Sequence, residues 1–149
     1  TPLELNCKLT PHDGIPLEDA TFYRQLVGSI VYLTITRPDI AYVVHVVNQF
    51  ISAPRSSHFS TVLRILRYIK GTIFHGLHFS ANSSLVLSGY SNVDWAGNPM
   101  DLRSVSGYYF FFGNSLISWC SKKQKVVSHS SIEIEHRALA DATSKLLWL

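Results

Sequence analysis

The spacing of apolar residues changes about halfway along the chain, and this change limits the fold more than any other feature of the sequence. Before residue 80, apolar residues recur at three- and four-residue steps, as one face of a helix requires. After residue 84 they fall in short runs bounded by turn residues, which is typical of strands. The pattern predicts helices first, then an antiparallel sheet, then one more helix: an α+β chain.

The first half predicts three helices. The first begins after Leu17, the second follows Thr36-Arg37-Pro38-Asp39, where proline suits the first helical turn, and the third ends at Gly71. The leader, Thr1 to Pro16, has no period, so we expect it to lie extended on the surface without a rigid element. The core face of the first helix is expected to be Phe22, Leu26, Ile30 and Leu33, flanked by Tyr23 and Val27.

The second half predicts a small antiparallel sheet. Leu85 to Tyr90 forms the first expected strand, and the runs Tyr108 to Phe112 and Leu116 to Trp119 are separated by Gly113-Asn114, a hairpin signal. Val126-Val127 is either a fourth short strand or a continuation of the ribbon.

A last helix is expected from about Ile132. Ser130 and Glu133 have the spacing in which each side chain satisfies a free amide at a helix start. The expected core side of this helix is Ile132, Leu139, Ala142 and Leu146.

Composition narrows the class of protein. The chain has 149 residues, 46% hydrophobic and 15% charged, so a packed core of about one domain's size is expected. Cys7 and Cys120 supply neither a disulfide framework nor a paired-cysteine zinc site, which suits an intracellular protein of the cytoplasm or nucleus. No apolar run approaches the roughly 20 residues that cross a bilayer, so no membrane partner is expected. Both ends of the chain resemble cuts.

Basic residues are unevenly distributed in a chain whose net charge is +3. No acid lies between Asp39 and Asp94, and the evenly spaced Arg64, Arg67 and Lys70 fall within that gap. A second basic group, close to Trp119, consists of Lys122, Lys123 and Lys125. Both groups are compatible with nucleic-acid binding, and also with a solvated helix face and a buried tryptophan at a strand end.

Three acids flank the predicted sheet and the last helix: Asp94, Glu133 and Glu135. A strand acid facing a helix acid is how a magnesium-dependent phosphodiesterase site begins, because hard cations need several oxygen ligands close together. Helix caps and surface charges would explain the same three acids. A serine-nucleophile elbow and a Gly-rich phosphate loop are both missing from the sequence.

Several motifs carry a family resemblance and occur along the chain in this order: Tyr23-Arg24-Gln25-Leu26-Val27-Gly28-Ser29, Thr36-Arg37-Pro38-Asp39-Ile40, Leu66-Arg67-Tyr68-Ile69-Lys70-Gly71-Thr72, Asp94-Trp95-Ala96-Gly97, Ser106-Gly107-Tyr108, Ile117-Ser118-Trp119 and Ser121-Lys122-Lys123-Gln124. Together they resemble the Pol polyprotein of plant copia-type retrotransposons, from the end of the reverse transcriptase into RNase H. The resemblance implies that residues 1–80 form a helical region like the reverse transcriptase thumb and connection. It implies that residues 85–149 form an incomplete RNase H-like domain with three antiparallel strands and one helix.

The resemblance also indicates which site residues remain. The family's first strand reads Tyr-Ser-Asp-x-Asp-Trp-Ala-Gly, and its first aspartate binds metal; here Asn92 stands at that position. Glu135 matches the metal-binding glutamate of the family's helix motif. Asp94 is a candidate substitute for the lost acid, since alternate strand positions share a face. The intact family uses Mg²⁺, whereas no cofactor is expected for this chain. By the same resemblance, the Tyr-x-Asp-Asp polymerase motif would precede Thr1 and the next catalytic aspartate would follow Leu149.

These observations predict a transposable-element fragment that does not hydrolyse RNA and keeps some affinity for an RNA/DNA hybrid or another nucleic acid. One alternative is an active RNase H segment of a longer polyprotein, whose remainder would be its partner. Another is a domesticated nucleic-acid-binding module that uses the six basic residues Arg64, Arg67, Lys70, Lys122, Lys123 and Lys125.

Overall fold

The structure is a computed structural model that describes residues 1–3, 9–94 and 102–149. It divides into two compact units, Thr1–Gly76 and Leu77–Leu149. The elements in chain order are α1 (Thr21–Leu33), a short 3₁₀ turn (Pro38–Ile40), α2 (Ala41–Asn48), α3 (Ser56–Gly71), β1 (Leu87–Asp94), β2 (Val105–Phe112), β3 (Ser115–Lys123) and α4 (Ser131–Leu146). The predicted α+β class is confirmed. In the described residues, no helix is both long and apolar enough to span a bilayer.

The first unit is built on one apolar cluster shared by its three helices: Tyr23, Val27, Ile30, Ile40, Val43, Val44, Val47, Val62 and Ile65. The expected core face of α1 is wrong by one residue, because Tyr23 is buried while Phe22 is 56% exposed. Burying this tyrosine is possible because its hydroxyl donates to the Val47 carbonyl oxygen at 2.7 Å. Ile30 lies in the core as expected, whereas Leu33 is 40% exposed.

The leader contains neither helix nor strand in its described residues, yet it is fixed to the start of α3. Ile15 N–H donates to Ser56 Oγ at 3.0 Å, and Arg55 Nη1 donates to the Gly14 carbonyl oxygen at 2.9 Å. Gly14 has φ +83°, and a Cβ there would meet the Ser56 hydroxyl, so glycine is required. Residues 9–17, which we call the strap, thus contain no helix or strand, as expected, but hydrogen bonds fix them to α3.

The buried ring of His58 completes the junction between the strap and α3. Its Nδ1 accepts the Arg55 N–H at 3.0 Å, so its Nε2 carries the hydrogen and donates to the Thr10 carbonyl oxygen at 2.9 Å. The ring is fully buried and stacks on Phe50, with 4.0 Å between the ring centroids. One side chain thus caps the helix and holds the strap.

A buried guanidinium ties the turn before α2 to the end of α3. Arg37 Nε and Nη2 donate to the two carboxylate oxygens of Asp39 at 2.9 and 2.7 Å. Arg37 Nη1 donates to the Thr72 carbonyl oxygen at 3.0 Å, and the Tyr68 hydroxyl donates to Asp39 Oδ2 at 2.9 Å. The hydrogen bonds from Arg37 hold the pKa of Asp39 below its ordinary value.

The second unit contains an antiparallel sheet in the order β1-β2-β3. The predicted hairpin is confirmed: β2 and β3 are joined by Gly113-Asn114, and Gly113 has φ +58°. A bulge leaves Ile117 without a register partner on β2. Val126-Val127 lies outside every strand, so neither strand interpretation of that pair holds.

The start of α4 is capped as predicted, but of the expected core face only Ala142 is among the buried residues. Ser130 Oγ accepts the Glu133 N–H at 3.1 Å, and Glu133 Oε2 accepts the His129 N–H at 3.0 Å. The buried residues of α4 are Ile134, Ala138 and Ala142. Two members of the expected face, Ile132 and Leu139, are 66% and 57% exposed. A row at four-residue steps, with two alanines, lets the helix lie close to the sheet.

Candidate functional site

A groove of about 300 Å³ runs between β1 and α4. It is lined by Ser91, Asn92, Val93, Glu135, Ala138 and Leu139. The structure therefore brings together Asn92 and Glu135, the two positions that the resemblance matched to metal ligands. Asp94 does not line this groove; it lies exposed at the end of β1, opposite Val105 in the register.

The cap of α4 determines which of its two glutamates can serve a site. Glu133 is occupied by the backbone of His129 and by Arg137, whose Nη2 lies 2.6 Å from Glu133 Oε1. The hydrogen bond from His129, followed by the charge of Arg137, lowers the pKa of Glu133. Ile134 is buried, so the next residue, Glu135, lies at the border of the helix with the groove. Glu133 is a structural cap, and Glu135 is the carboxylate that faces the groove.

The donor set of the groove does not fit a pair of magnesium ions. Among the described residues its lining offers one carboxylate, from Glu135, and one side-chain amide, from Asn92. Hard divalent cations bind through several oxygens, and two-metal phosphoryl chemistry needs carboxylates that bridge or flank both ions. Among residues 1–3, 9–94 and 102–149, no three His, Cys, Asp or Glu residues come close enough to hold a metal ion.

The first basic group lies on α3. Arg64 is half-buried, and its Nε approaches the Thr1 carbonyl oxygen at 3.4 Å. Arg67 is exposed and donates from Nε to the Leu63 carbonyl oxygen at 3.4 Å, and Lys70 is exposed near the end of the helix. Arg67 and Lys70 thus present their charge to solvent, whereas Arg64 is partly engaged with the chain itself.

The second basic group is divided by the strand. Lys122 and Lys123 are consecutive in β3, so their side chains leave opposite faces of the sheet, and Lys125 follows the strand. Lys122 lines a second groove, of about 320 Å³, together with Lys145 and Trp148. Sequence reasoning missed this last pair, because only the packing of α4 on the sheet brings them beside Lys122.

Comparison with curated proteins shows the family. The chain is 44% identical to the retrovirus-related Pol polyprotein from transposon RE2 of Arabidopsis thaliana over 149 residues, which is all of this chain and 10% of that protein. The Pol polyprotein from transposon RE1 of the same plant gives 44% identity over the same coverage. The secreted RxLR effector protein 161 of Plasmopara viticola is 44% identical over 128 residues, 85% of this chain and 90% of that protein. No family model and no solved structure matches the chain.

These matches define the class of the chain: it is a protein of mobile genetic elements. The chain is a member of the retrovirus-related Pol polyproteins of plant transposons, of the copia type. It spans about a tenth of the length of the Pol polyproteins that it matches.

Proposed function

We propose that this chain is a catalytically silent segment of a copia-type Pol polyprotein that holds nucleic acid through its basic residues. Residues 1–80 correspond in this proposal to the thumb and connection of reverse transcriptase, and residues 85–149 to the beginning of RNase H. The observation that carries the proposal is the groove in which Asn92, in place of the family's aspartate, accompanies Glu135.

Losing one carboxylate removes a large part of the electrostatic attraction that holds a metal ion. Two unit charges 4 Å apart attract by about 4 kcal/mol at an effective dielectric constant of 20, and a divalent ion doubles that attraction. A neutral amide at position 92 gives up this contribution and leaves Glu135 as the single negative group among the described residues of the lining. The groove is consequently too weakly charged to hold two cations against a phosphate.

The hydrolysis assay tests the silent site. We expect no cleavage of a labelled RNA/DNA hybrid by this chain in Mg²⁺ or Mn²⁺. Asn92→Asp should raise the affinity for Mn²⁺ by at least tenfold, measured by calorimetry without substrate, because it restores a carboxylate to the lining of the groove, although desolvation offsets much of the added attraction. Asp94→Asn is the matched control and should leave Mn²⁺ affinity unchanged. Cleavage by the unmodified chain that Glu135→Gln abolishes would refute the proposal.

Electrostatic binding is tested by salt dependence. Neutralised phosphate contacts release counterions, so the logarithm of affinity falls with the logarithm of salt by about 0.9 for each contact. Replacing Arg67 and Lys70 with Gln should reduce this slope for a hybrid duplex by one to about two units. Arg24→Gln is the control, since that guanidinium already donates to the Ile51 and Ser52 carbonyl oxygens. An unchanged slope in the double variant would contradict binding through α3.

A free-standing binding module is the second candidate function. It is favoured by one observation: the effector protein of Plasmopara viticola matches this chain over 90% of its own length, so a segment of this extent forms most of a protein there. Immunodetection of the product in its source would distinguish the candidates. A product near 16.8 kDa supports the module, and a product about ten times longer supports the polyprotein segment.

A further inference from the structure

The groove of about 320 Å³ in the second unit lies between α4 and the strands β2 and β3. Its walls carry charge: Lys122 belongs to β3, and Asp141 and Lys145 belong to α4. Trp148, which follows α4, also lines the groove and is 85% exposed. We call the groove that these four residues define the lysine groove. Its volume is at the lower end of the range for small-ligand sites, so it suits one small molecule or one unit of a polymer.

Two different periods in the sequence bring these side chains together. Asp141, Lys145 and Trp148 follow one another at steps of four and three residues, which places them on one side of the helix. On β3, Lys122 is two residues beyond Cys120, and alternate strand residues share a face. Cys120 also lines the groove, so the two lysines approach the same space from opposite walls.

The two lysines are not occupied by other groups of the chain. Within the part of the chain that the structure describes, the side chains of Lys122 and Lys145 form neither an ion pair nor a hydrogen bond. Asp141 lies one turn before Lys145 and is not paired with it. Both lysines are exposed, so a solute can reach their charge. Two cations against one acid leave the groove with an excess of positive charge.

The end of α4 adds little against an anion. The carbonyl end of a helix carries partial negative charge, which disfavours an anion there. The last carbonyl groups of α4 already accept backbone hydrogen bonds, however, and Lys145 lies in the last helical turn. This lysine therefore offsets the remaining negative potential at the place where a phosphate would lie.

The mixed lining indicates the class of ligand. A site for a bare phosphate needs cations alone, whereas this groove adds the exposed indole of Trp148 and the carboxylate of Asp141. Lysines bind phosphates, aromatic rings stack on bases, and carboxylates accept hydrogen bonds from sugar hydroxyls. A nucleotide contains a phosphate, a base and a sugar, so each of its parts has a counterpart in the lysine groove.

We propose that the lysine groove is a binding site for one nucleotide. Lys122 and Lys145 hold its phosphate, and Trp148 stacks on its base. Asp141 accepts a hydrogen bond from a hydroxyl of its sugar. A free nucleotide and one unit of a single strand offer the same chemistry, and the test below separates these two sources. The site goes beyond the proposed function, because no contact in it requires an RNA/DNA hybrid.

Calorimetric titration of the whole chain with adenosine 5′-monophosphate (AMP) tests the site. Lys122→Gln with Lys145→Gln should weaken binding by about tenfold or more, because both phosphate contacts are lost. Trp148→Ala should weaken it by about fivefold or more, as for the loss of one stacked base. The matched control is Arg24→Gln with Arg137→Gln, which removes the same charge from two exposed arginines outside the groove. The control should stay within about twofold of the parent.

A second measurement keeps the four groove residues intact. Cys120 is half-buried in the groove, and Cys7→Ser leaves it as the remaining cysteine of the two in the sequence. Saturating AMP should slow alkylation of Cys120 by iodoacetamide about threefold or more, because a bound nucleotide restricts access to the thiol. Inorganic phosphate at the same concentration should protect the thiol less than AMP, since it has no base to stack on Trp148.

The outcomes decide the inference and the source of the nucleotide. A single-stranded oligomer that protects Cys120 at much lower concentration than AMP identifies a unit of a strand as the ligand. Equal or weaker protection by the oligomer identifies the free nucleotide. AMP affinity that survives loss of both lysines, or absence of protection by both AMP and the oligomer, overturns the site. Equal protection by inorganic phosphate and AMP shows an anion site alone and also overturns the inference.

Failure of this inference can be distinguished from failure of the proposed function. AMP binding in the lysine groove without any affinity for an RNA/DNA hybrid would refute the proposed nucleic-acid binding and leave the nucleotide site standing. Salt-dependent hybrid binding without AMP binding or protection of Cys120 would refute the nucleotide site and leave the proposed function standing.

Discussion

Replacing Asp39 with alanine is expected to lower the free energy of unfolding of the helical unit by about 3 kcal/mol, as for a broken buried ion pair. The side chain of Arg37 is 9% exposed, and that of Asp39 is 35% exposed. Without the carboxylate, Arg37 keeps its bonds to Thr72 but becomes a buried, uncompensated charge. Chemical denaturation at pH 7 measures the loss. The partial exposure of Asp39 keeps the expected value at the lower end for such pairs.

The loss of stability caused by Asp39→Ala should become smaller as the pH falls. The folded chain holds the pKa of Asp39 below its ordinary value of 3.8 through the hydrogen bonds from Arg37. Stability from this group is therefore complete above about pH 4 and is lost as pH falls through the folded pKa. The difference between the parent and Asp39→Ala should be full at pH 7 and shrink below pH 4. Asp13 and Asp19 also have lowered pKa values. The parent chain and the Asp39→Ala variant both retain these two acids, so their contributions cancel in the difference in stability.

The control for this substitution is Glu18→Ala, an acid removed from an exposed position of the same unit. It should cost no more than about 0.5 kcal/mol. A loss for Asp39→Ala as small as that of the control would show that the network around Arg37 contributes little to stability.

His58→Ala is expected to destabilise the same unit by about 3 kcal/mol. The substitution removes a fully buried ring from its stack on Phe50, leaves a cavity, and deprives the Arg55 N–H and the Thr10 carbonyl oxygen of their partners. Urea denaturation followed by circular dichroism measures the change.

A graded series distinguishes the cap from the packing of the ring. His58→Gln should recover about 1 kcal/mol of the loss, since glutamine at this third helical position can accept the N–H of the capping residue. Ser60→Ala, on the exposed side of α3, is the control and should change stability by less than about 0.5 kcal/mol. Equal losses for Gln and Ala would show that packing alone accounts for the role of His58.

Local signals in the sequence were sufficient for the order of elements. Gly113-Asn114 determines the hairpin through its backbone conformation, and Ser130 with Glu133 determines the start of α4, so both features follow from a few neighbouring residues. The core face of α4 does not follow in this way. Ile132 and Ile134 are chemically alike, and only the position of the sheet decides that Ile134 is the buried one.

For the candidate site, too, some features could be predicted from local sequence and others could not. The family motifs placed Asn92 and Glu135 at matching positions, and the structure puts both at one groove, although their roles stay a prediction. The separation of Lys122 from Lys123 follows from strand alternation once β3 is recognised.

The folded part of the helical unit includes the strap, which precedes the first helix and belongs to no helix or strand. A chain shortened to the first residue of α1 would keep every helix, yet the hydroxyls of Ser56 and Ser57 and the ring of His58 would lose their partners in the strap. Its sequence is rich in turn residues, which often mark dispensable tails, but Leu9 and Leu17 at its two ends pack against the core cluster. Alignments and truncations in this family should therefore treat Leu9 to Leu17 as part of the folded body.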